Sequence, residues 1–72
     1  MKKYYKHPEY ETLCYKVENN ILTTVTNFNE VRKAIETTNV EAIVEGVKDY
    51  PEIDSNEFNE ALRKTLSEIL AR

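Results

Sequence analysis

The chain has 72 residues, of which 40% are hydrophobic and 32% are charged, and its formal net charge is −3. This length holds a single hydrophobic core, so we expect one domain over residues 1–72, and the even spread of apolar residues is not typical of disorder. Cys14 is the sole cysteine and Gly46 the sole glycine, which excludes an internal disulfide and a glycine-rich phosphate-binding loop.

The N-terminal part of the chain has the alternating pattern of β-strands. Residues 10–27 are predicted to form an antiparallel β-hairpin, because β-branched and aromatic side chains alternate with polar ones on both sides of Asn19 and Asn20. Asparagine tolerates positive φ better than most residues, which suits a tight turn. The segment from Lys2 to Lys6 is a candidate third strand, which would make the sheet more stable than an isolated hairpin.

Two registers are open for this hairpin. A two-residue loop would pair Val17 with Leu22, whereas a three-residue loop would pair Val17 with Ile21. The three-residue loop collects the apolar side chains on one nearly continuous face, and burial of that face would favour it. We therefore predict the three-residue loop, with Asn20 in the left-handed conformation.

The hydrophobic period becomes helical from Asn27 onward. Asn27 and Glu30 have the spacing of a capping box, in which each side chain bonds to the backbone near the other. The apolar residues that would share the buried face of this first helix are Phe28, Val31, Ala34 and Ile35.

A second helix is predicted after Asn39, whose side chain can cap it. A strand is the alternative for residues 40–47, because apolar residues there also alternate, but the position between capped helices favours a helix. Pro51 ends the element. The apolar positions at i, i+3, i+4 and i+7 are Val40, Ile43, Val44 and Val47.

The third and longest helix is predicted to begin after Asp54, which is placed to act as its N-cap. The residues of its apolar face are Phe58, Ala61, Leu62, Thr65, Leu66, Ile69 and Leu70. The predicted fold is therefore α+β. It has an N-terminal antiparallel β-hairpin, with two strands or three, followed by three helices packed on one sheet face.

Few side chains in this sequence suit catalysis or metal binding. His7 and Cys14 are the only imidazole and the only thiol, and no third group is evident to orient them, so we predict no catalytic residues. A structural zinc site needs about four Cys or His ligands. The carboxylates around Pro51 lack the spacing and the glycine of an EF-hand loop. We therefore expect no enzyme activity, no metal and no cofactor.

Acidic residues are concentrated between residues 41 and 60. A carboxylate-rich surface steers association with a basic partner, and an open sheet edge can add a strand from another chain. We predict a small non-enzymatic protein-interaction or regulatory module (an inhibitor, an antitoxin-like or a phage-type accessory protein) that uses an acidic helical face or an open sheet edge. The candidate partner contacts are Glu41, Glu45, Asp49, Glu52 and Glu57. A homodimer is a further expectation, since a domain this small buries little apolar surface alone.

The N-terminal segment offers an alternative function, that of a nucleic-acid-binding regulator. Its lysines could contact phosphates while its tyrosines stack on unpaired bases. The residues concerned are Lys2, Lys3, Tyr4, Tyr5 and Lys6. Two considerations oppose this function: the negative net charge, and a structural interpretation in which the tyrosines cover the core and the lysines keep a sheet edge soluble.

Two features of the sequence indicate a cytoplasmic protein. A lone unpaired cysteine suits a reducing compartment, and the polar residues after Met1 do not form the apolar stretch of a signal peptide. No segment approaches the roughly 20 apolar residues of a membrane span. We therefore expect no membrane association, and the partner that we expect is another protein.

Overall fold

In a computed structural model, which describes residues 1–71, the chain forms a four-stranded antiparallel sheet and two helices. The elements are β1 (Lys2–Lys6), β2 (Leu13–Glu18), β3 (Ile21–Asn27), β4 (Lys33–Thr38), α1 (Glu41–Val47) and α2 (Ser55–Leu70). The strand order β1-β2-β3-β4 follows the chain, so each strand pairs with the next one in sequence. The α+β class and the strand at Lys2–Lys6 are confirmed, but the numbers of strands and helices differ from the prediction.

The two helices lie on opposite faces of the sheet. On the α1 face, α1 packs on a buried cluster whose members from the strands are Tyr5, Tyr15, Val17 and Leu22. On the α2 face, Phe58 of α2 packs against Cys14 and Val25. The predicted packing of three helices on one sheet face is therefore wrong, because both faces of the strands carry apolar side chains that need cover.

β4 occupies a segment for which the sequence pattern predicts a helix. That helix would need Asn27 as its cap, but Asn27 ends β3, and Asn29 organises a turn instead. The Asn29 Oδ1 accepts hydrogen bonds from two backbone N–H groups of the turn, both at 2.8 Å. Phe28 and Val31, which the helix would have buried, are exposed in this turn. The chain thus reverses direction and returns as a strand.

The hairpin between β2 and β3 has a two-residue loop. Val17 pairs with Leu22, so the predicted three-residue loop is wrong. Asn19 and Asn20 have φ of 52° and 63°, the left-handed pair of a type I′ turn, whose twist matches that of the strands. The prediction assumed a single buried face. Because α2 buries the second face as well, the two-residue loop buries both Leu22 and Val25, on opposite faces, and leaves Ile21 about half exposed.

Asn20→Gly is expected to stabilise the protein, because glycine adopts the left-handed conformation without steric cost. We expect the free energy of unfolding, measured by urea denaturation, to rise by roughly 0.5 kcal/mol. Asn20→Ala, which tolerates positive φ poorly, should lower it by roughly 1 kcal/mol. An alanine variant as stable as the wild type would show that residue 20 is not left-handed in solution.

α1 is the second of the predicted helices, so the strand alternative for this segment is wrong. The predicted Asn39 cap is also wrong, since Val40 is the N-cap residue and its side chain makes no capping bond. Val44 and Val47 are buried, while Val40 and Ile43 remain about half exposed. This helix has only seven residues and therefore buries few of its own apolar side chains against the α1 face.

α2 is the long helix that the sequence predicts, and Asp54 is its N-cap as expected. The Asp54 Oδ1 accepts a hydrogen bond at 2.8 Å from a backbone N–H of the first turn. Phe58 and Thr65 are buried, but Leu66 and Leu70 are 43% and 81% exposed. The prediction that these two leucines belong to the buried face of the helix is therefore wrong.

Candidate interaction surface

The outer edge of β1 is covered by the segment that joins the two helices. The backbone N–H of Lys6 donates to the carbonyl of Pro51 at 3.0 Å, and the N–H of Ile53 donates to the carbonyl of Tyr4 at 3.0 Å. Residues 51–53 thus form a short antiparallel bridge with β1. Because exposed strand edges attract other strands, this bridge protects one side of the sheet.

β4 forms the opposite edge, and its outer side is open. Alternate residues of an antiparallel strand direct their backbone groups toward the neighbouring strand. The Phe28 N–H donates to the Arg32 carbonyl at 3.0 Å where the pairing of β3 with β4 begins, so the even-numbered residues of β4 bond to β3. Lys33, Ile35 and Thr37 direct their backbone groups outward, and no backbone hydrogen bond within residues 1–71 reaches them.

A polar network holds the start of β4 against α2. The Asn27 Nδ2 donates to the Thr65 Oγ1 and to the Glu68 Oε1, both at 3.1 Å. The Lys33 Nζ donates to the Asn29 carbonyl at 2.9 Å and lies 3.7 Å from the Glu68 Oε1. The Lys33 side chain is only 10% exposed. The network therefore fixes the strand and turns the Lys33 charge toward α2 instead of along the edge.

Charged and apolar side chains flank the open edge. Arg32, just before β4, and Glu36, within it, are exposed and form no ion pair inside the described residues 1–71. Val31 is 84% exposed in the preceding turn, and Leu70 is exposed at the end of α2, which lies beside Lys33. The edge thus combines unpaired backbone groups with unpaired charges and exposed apolar side chains.

The acidic residues predicted to contact a partner are spread over several sides of the molecule. Glu41, Glu45 and Asp49 lie on or just after α1. Glu57 lies in the first turn of α2, across the sheet, and Glu52 lies in the segment beside β1. Two of the five form salt bridges with lysines, at 3.1 Å and 3.4 Å. The fold therefore does not bring these carboxylates together on one helical face.

The N-terminal residues of the alternative nucleic-acid hypothesis form β1. Tyr5 is buried in the cluster of the α1 face, and the ring of Tyr4 lies with its centroid 5.3 Å from that of Phe58. Lys2 and Lys3 are exposed. Both tyrosine rings therefore contribute to the core, and stacking a base on either would require its removal from that core.

His7 and Cys14 lie on different faces of the sheet. Cys14 is buried beneath α2, and this burial, with a smaller effect of the Glu57 carboxylate, raises the pKa of the thiol. A nucleophilic cysteine needs the opposite shift. His7 packs between Tyr10 and Tyr50, with ring centroids 4.9 Å and 5.2 Å away, and Tyr50 packs on the α1 face.

Sequence reasoning missed the outward-facing residues of β4 because it predicted a helix there. The signal that could have found the strand is the β-branched content of the segment, at Ile35, Thr37 and Thr38. A second signal is Asn29, because asparagine commonly organises turns through its side chain. Together they indicate a turn followed by a strand.

Within residues 1–71, no three His, Cys, Asp or Glu side chains come close enough to share a metal ion. Neither helix there has both the length and the apolar character needed to cross a membrane.

Comparison with known proteins gives no assignment of function. No protein-family model matches the chain, and no curated protein and no solved structure matches it significantly.

Proposed function

We propose that this protein is a non-enzymatic interaction module that binds an extended polypeptide segment along the outer edge of β4. The asymmetry of the sheet carries this proposal. Residues 51–53 bond to the edge of β1, whereas the outward backbone groups of Lys33, Ile35 and Thr37 have no backbone partner within residues 1–71. An added strand would supply those partners through main-chain hydrogen bonds.

The β4 edge lacks three of the devices that commonly prevent strand addition, although Glu36 places an exposed charge on it. Edge strands are commonly blunted by proline, by a bulge or by an outward-pointing lysine. β4 contains no proline, and its pairing with β3 runs without interruption over six residue pairs. Its one lysine, Lys33, is bonded toward α2. These features favour a docking edge over a protected one.

Selectivity would come from the side chains on the two sides of the edge. Ile35 packs in the cluster of the α2 face, and Glu36 is exposed on the other side of the strand. A docked strand alternates its side chains in the same way, so one set would lie beside Ile35 and the other beside Glu36. The edge therefore fits a segment that carries a basic or polar residue beside Glu36.

Thr37→Pro tests the proposal, because proline removes an outward N–H and leaves the bonds between β4 and β3 in place. We expect the variant to keep the circular dichroism of the wild type. Capture of partner proteins from nuclease-treated lysate of its host, measured by quantitative mass spectrometry, should fall by about tenfold, since the lost hydrogen bond and the ring both oppose docking.

Thr37→Ala is the matched control, since it removes the side chain and keeps the N–H. It should capture the same proteins as the wild type. Equal capture by the proline variant would contradict strand addition at β4. Capture lost with Glu41→Arg and kept with Thr37→Pro would move the contact to the acidic residues of α1.

A further inference from the structure

We infer that the strand that docks on β4 is the β4 strand of a second copy of this chain, which gives a two-fold symmetric dimer with one continuous sheet. The inference rests on the proposed function, since it names the occupant of the same edge. An edge strand that pairs with itself about a two-fold axis does so antiparallel, and each copy contributes the same residues. Such pairing closes the open edge of both copies at once.

The charges on β4 select one register for this pairing. Directly opposed residues lie on the same face of the sheet. A two-fold axis perpendicular to the sheet keeps every residue on its own face, so the axis must pass between the two copies of a single residue. With Ala34 at the axis, each Glu36 faces Arg32 of the second copy. With Glu36 at the axis two like charges would meet, and with Ile35 there Glu36 would face Ala34. Opposite charges at facing positions are favourable, so the axis lies at Ala34.

Both charged residues are free to make this contact. Arg32 and Glu36 are exposed and take part in no ion pair inside the described chain, residues 1–71. By symmetry the pair forms at both ends of the interface. In the same register, Lys33 and Ile35 exchange their outward backbone bonds with Ile35 and Lys33 of the second copy.

The symmetry also brings the ends of the two α2 helices to one side of the joined sheet. α2 covers the face that holds Ile35, and its last turn lies beside Lys33. Leu70 in that turn and Val31 just before β4 are both largely exposed. In this register Val31 lies opposite Thr37 of the second copy, and burial of its side chain there adds to the strand pairing, which by itself makes a small interface.

A charge-reversal experiment tests both the partner and the register. Glu36→Arg or Arg32→Glu alone places like charges opposite each other at two symmetric positions. We expect each variant to weaken self-association of the purified chain, measured by sedimentation equilibrium, by about tenfold. The double variant R32E/E36R restores two opposite charges at the facing positions, with the signs exchanged. Its dissociation constant should return to within about threefold of the wild-type value.

The control for net charge is Glu41→Arg, which changes the charge equally but lies on α1. It should leave the dissociation constant of the dimer unchanged. A double variant as weak as the single variants would overturn the register, because no facing pair would then exist between residues 32 and 36.

Ala34→Cys tests the position of the axis directly. Facing residues at a non-hydrogen-bonded antiparallel position have Cα atoms about 4.5 Å apart, within the range of a disulfide. We expect mild oxidation to convert this variant to a covalent dimer. The wild type, whose Cys14 is buried, should remain uncrosslinked. Thr38→Cys should also fail to crosslink, because at about 3.3 Å per residue two copies of position 38 lie far apart.

The outcomes separate this inference from the proposed function. A chain that stays monomeric at high concentration, while Thr37→Pro still lowers capture of other proteins, would overturn self-pairing and leave strand addition standing. A dimer unaffected by Thr37→Pro and by both charge reversals would have its interface elsewhere, which overturns the inference. A chain that stays monomeric at high concentration, and whose Thr37→Pro variant captures other proteins as the wild type does, would overturn both.

Discussion

Phe58→Ala is expected to lower the free energy of unfolding by roughly 3–5 kcal/mol, a large fraction of the stability of a small domain. Phe58 is 1% exposed and is the side chain that α2 contributes to the cluster with Cys14 and Val25. Its ring centroid also lies 5.3 Å from that of Tyr4. Truncation leaves a cavity between helix and sheet that the paired strands cannot close. Urea denaturation measures the effect.

Leu70→Ala is the control on the same helix, because that side chain is 81% exposed. It should change the free energy of unfolding by no more than about 0.5 kcal/mol at concentrations where the chain is monomeric. Phe58→Leu keeps most of the buried volume and, at a cost of about 1–2 kcal/mol, leaves enough folded protein to measure if the alanine variant unfolds. An alanine variant as stable as the wild type would show that α2 does not pack on this face.

Alkaline pH is expected to destabilise the fold through Tyr15. Burial, with smaller contributions from Tyr50 and Cys14, raises the pKa of Tyr15 from 10.0 to about 12. The folded state therefore holds the phenolic proton more tightly than the unfolded state does. This stabilisation is fully present below pH 10.0 and is lost as the pH rises toward 12, with a total of roughly 2–3 kcal/mol. Denaturation series across this pH range measure the loss.

Tyr15→Phe distinguishes this effect from general alkaline denaturation. Phenylalanine keeps the buried ring but has no proton to lose, so the free energy of unfolding should fall less steeply with rising pH. Part of the slope will remain, because burial also raises the pKa of the Cys14 thiol. Tyr10→Phe, at an exposed tyrosine, should keep the wild-type slope. An unchanged slope in Tyr15→Phe would contradict the role of this phenol.

The elements that could be predicted from the sequence are those set by nearby residues. α2 follows from the period of its apolar residues and from Asp54, whose carboxylate caps the first turn. β2 and β3 follow from the alternation of their side chains, whereas Lys2–Lys6 is only a candidate strand from the sequence. Each of these patterns depends on neighbours within a few positions, and such information is present in a single sequence.

β4 and the hairpin register depend on contacts that a local pattern does not contain. The apolar residues between Phe28 and Ile35 fit a helix as well as a strand, and what decides is the turn at Asn29 together with pairing to β3. The register at Asn19 and Asn20 depends on how many sheet faces are buried. That number is set by where α2 packs, which is a tertiary event.

The sequence could suggest that an open sheet edge is a binding site, but it could not show which strand forms that edge. Its location depends on the two hydrogen bonds between residues 51–53 and β1, which cover one edge of the sheet and leave the opposite edge, at β4, open. The acidic residues show the converse error. Glu41 and Glu57 are near in sequence, but their helices lie on opposite faces of the sheet, so closeness along the chain did not become closeness in space.

The four strands pair in the order of the chain, so each strand contact is closed by a short connection. Such local contacts cost little loop-closure entropy, and chains rich in them fold quickly. The bridge between residues 51–53 and β1 is different, because it closes a loop of most of the chain. We expect the hairpins to form first and this bridge to form late. During folding, the edge that ends up covered therefore stays open to other chains until nearly the last step.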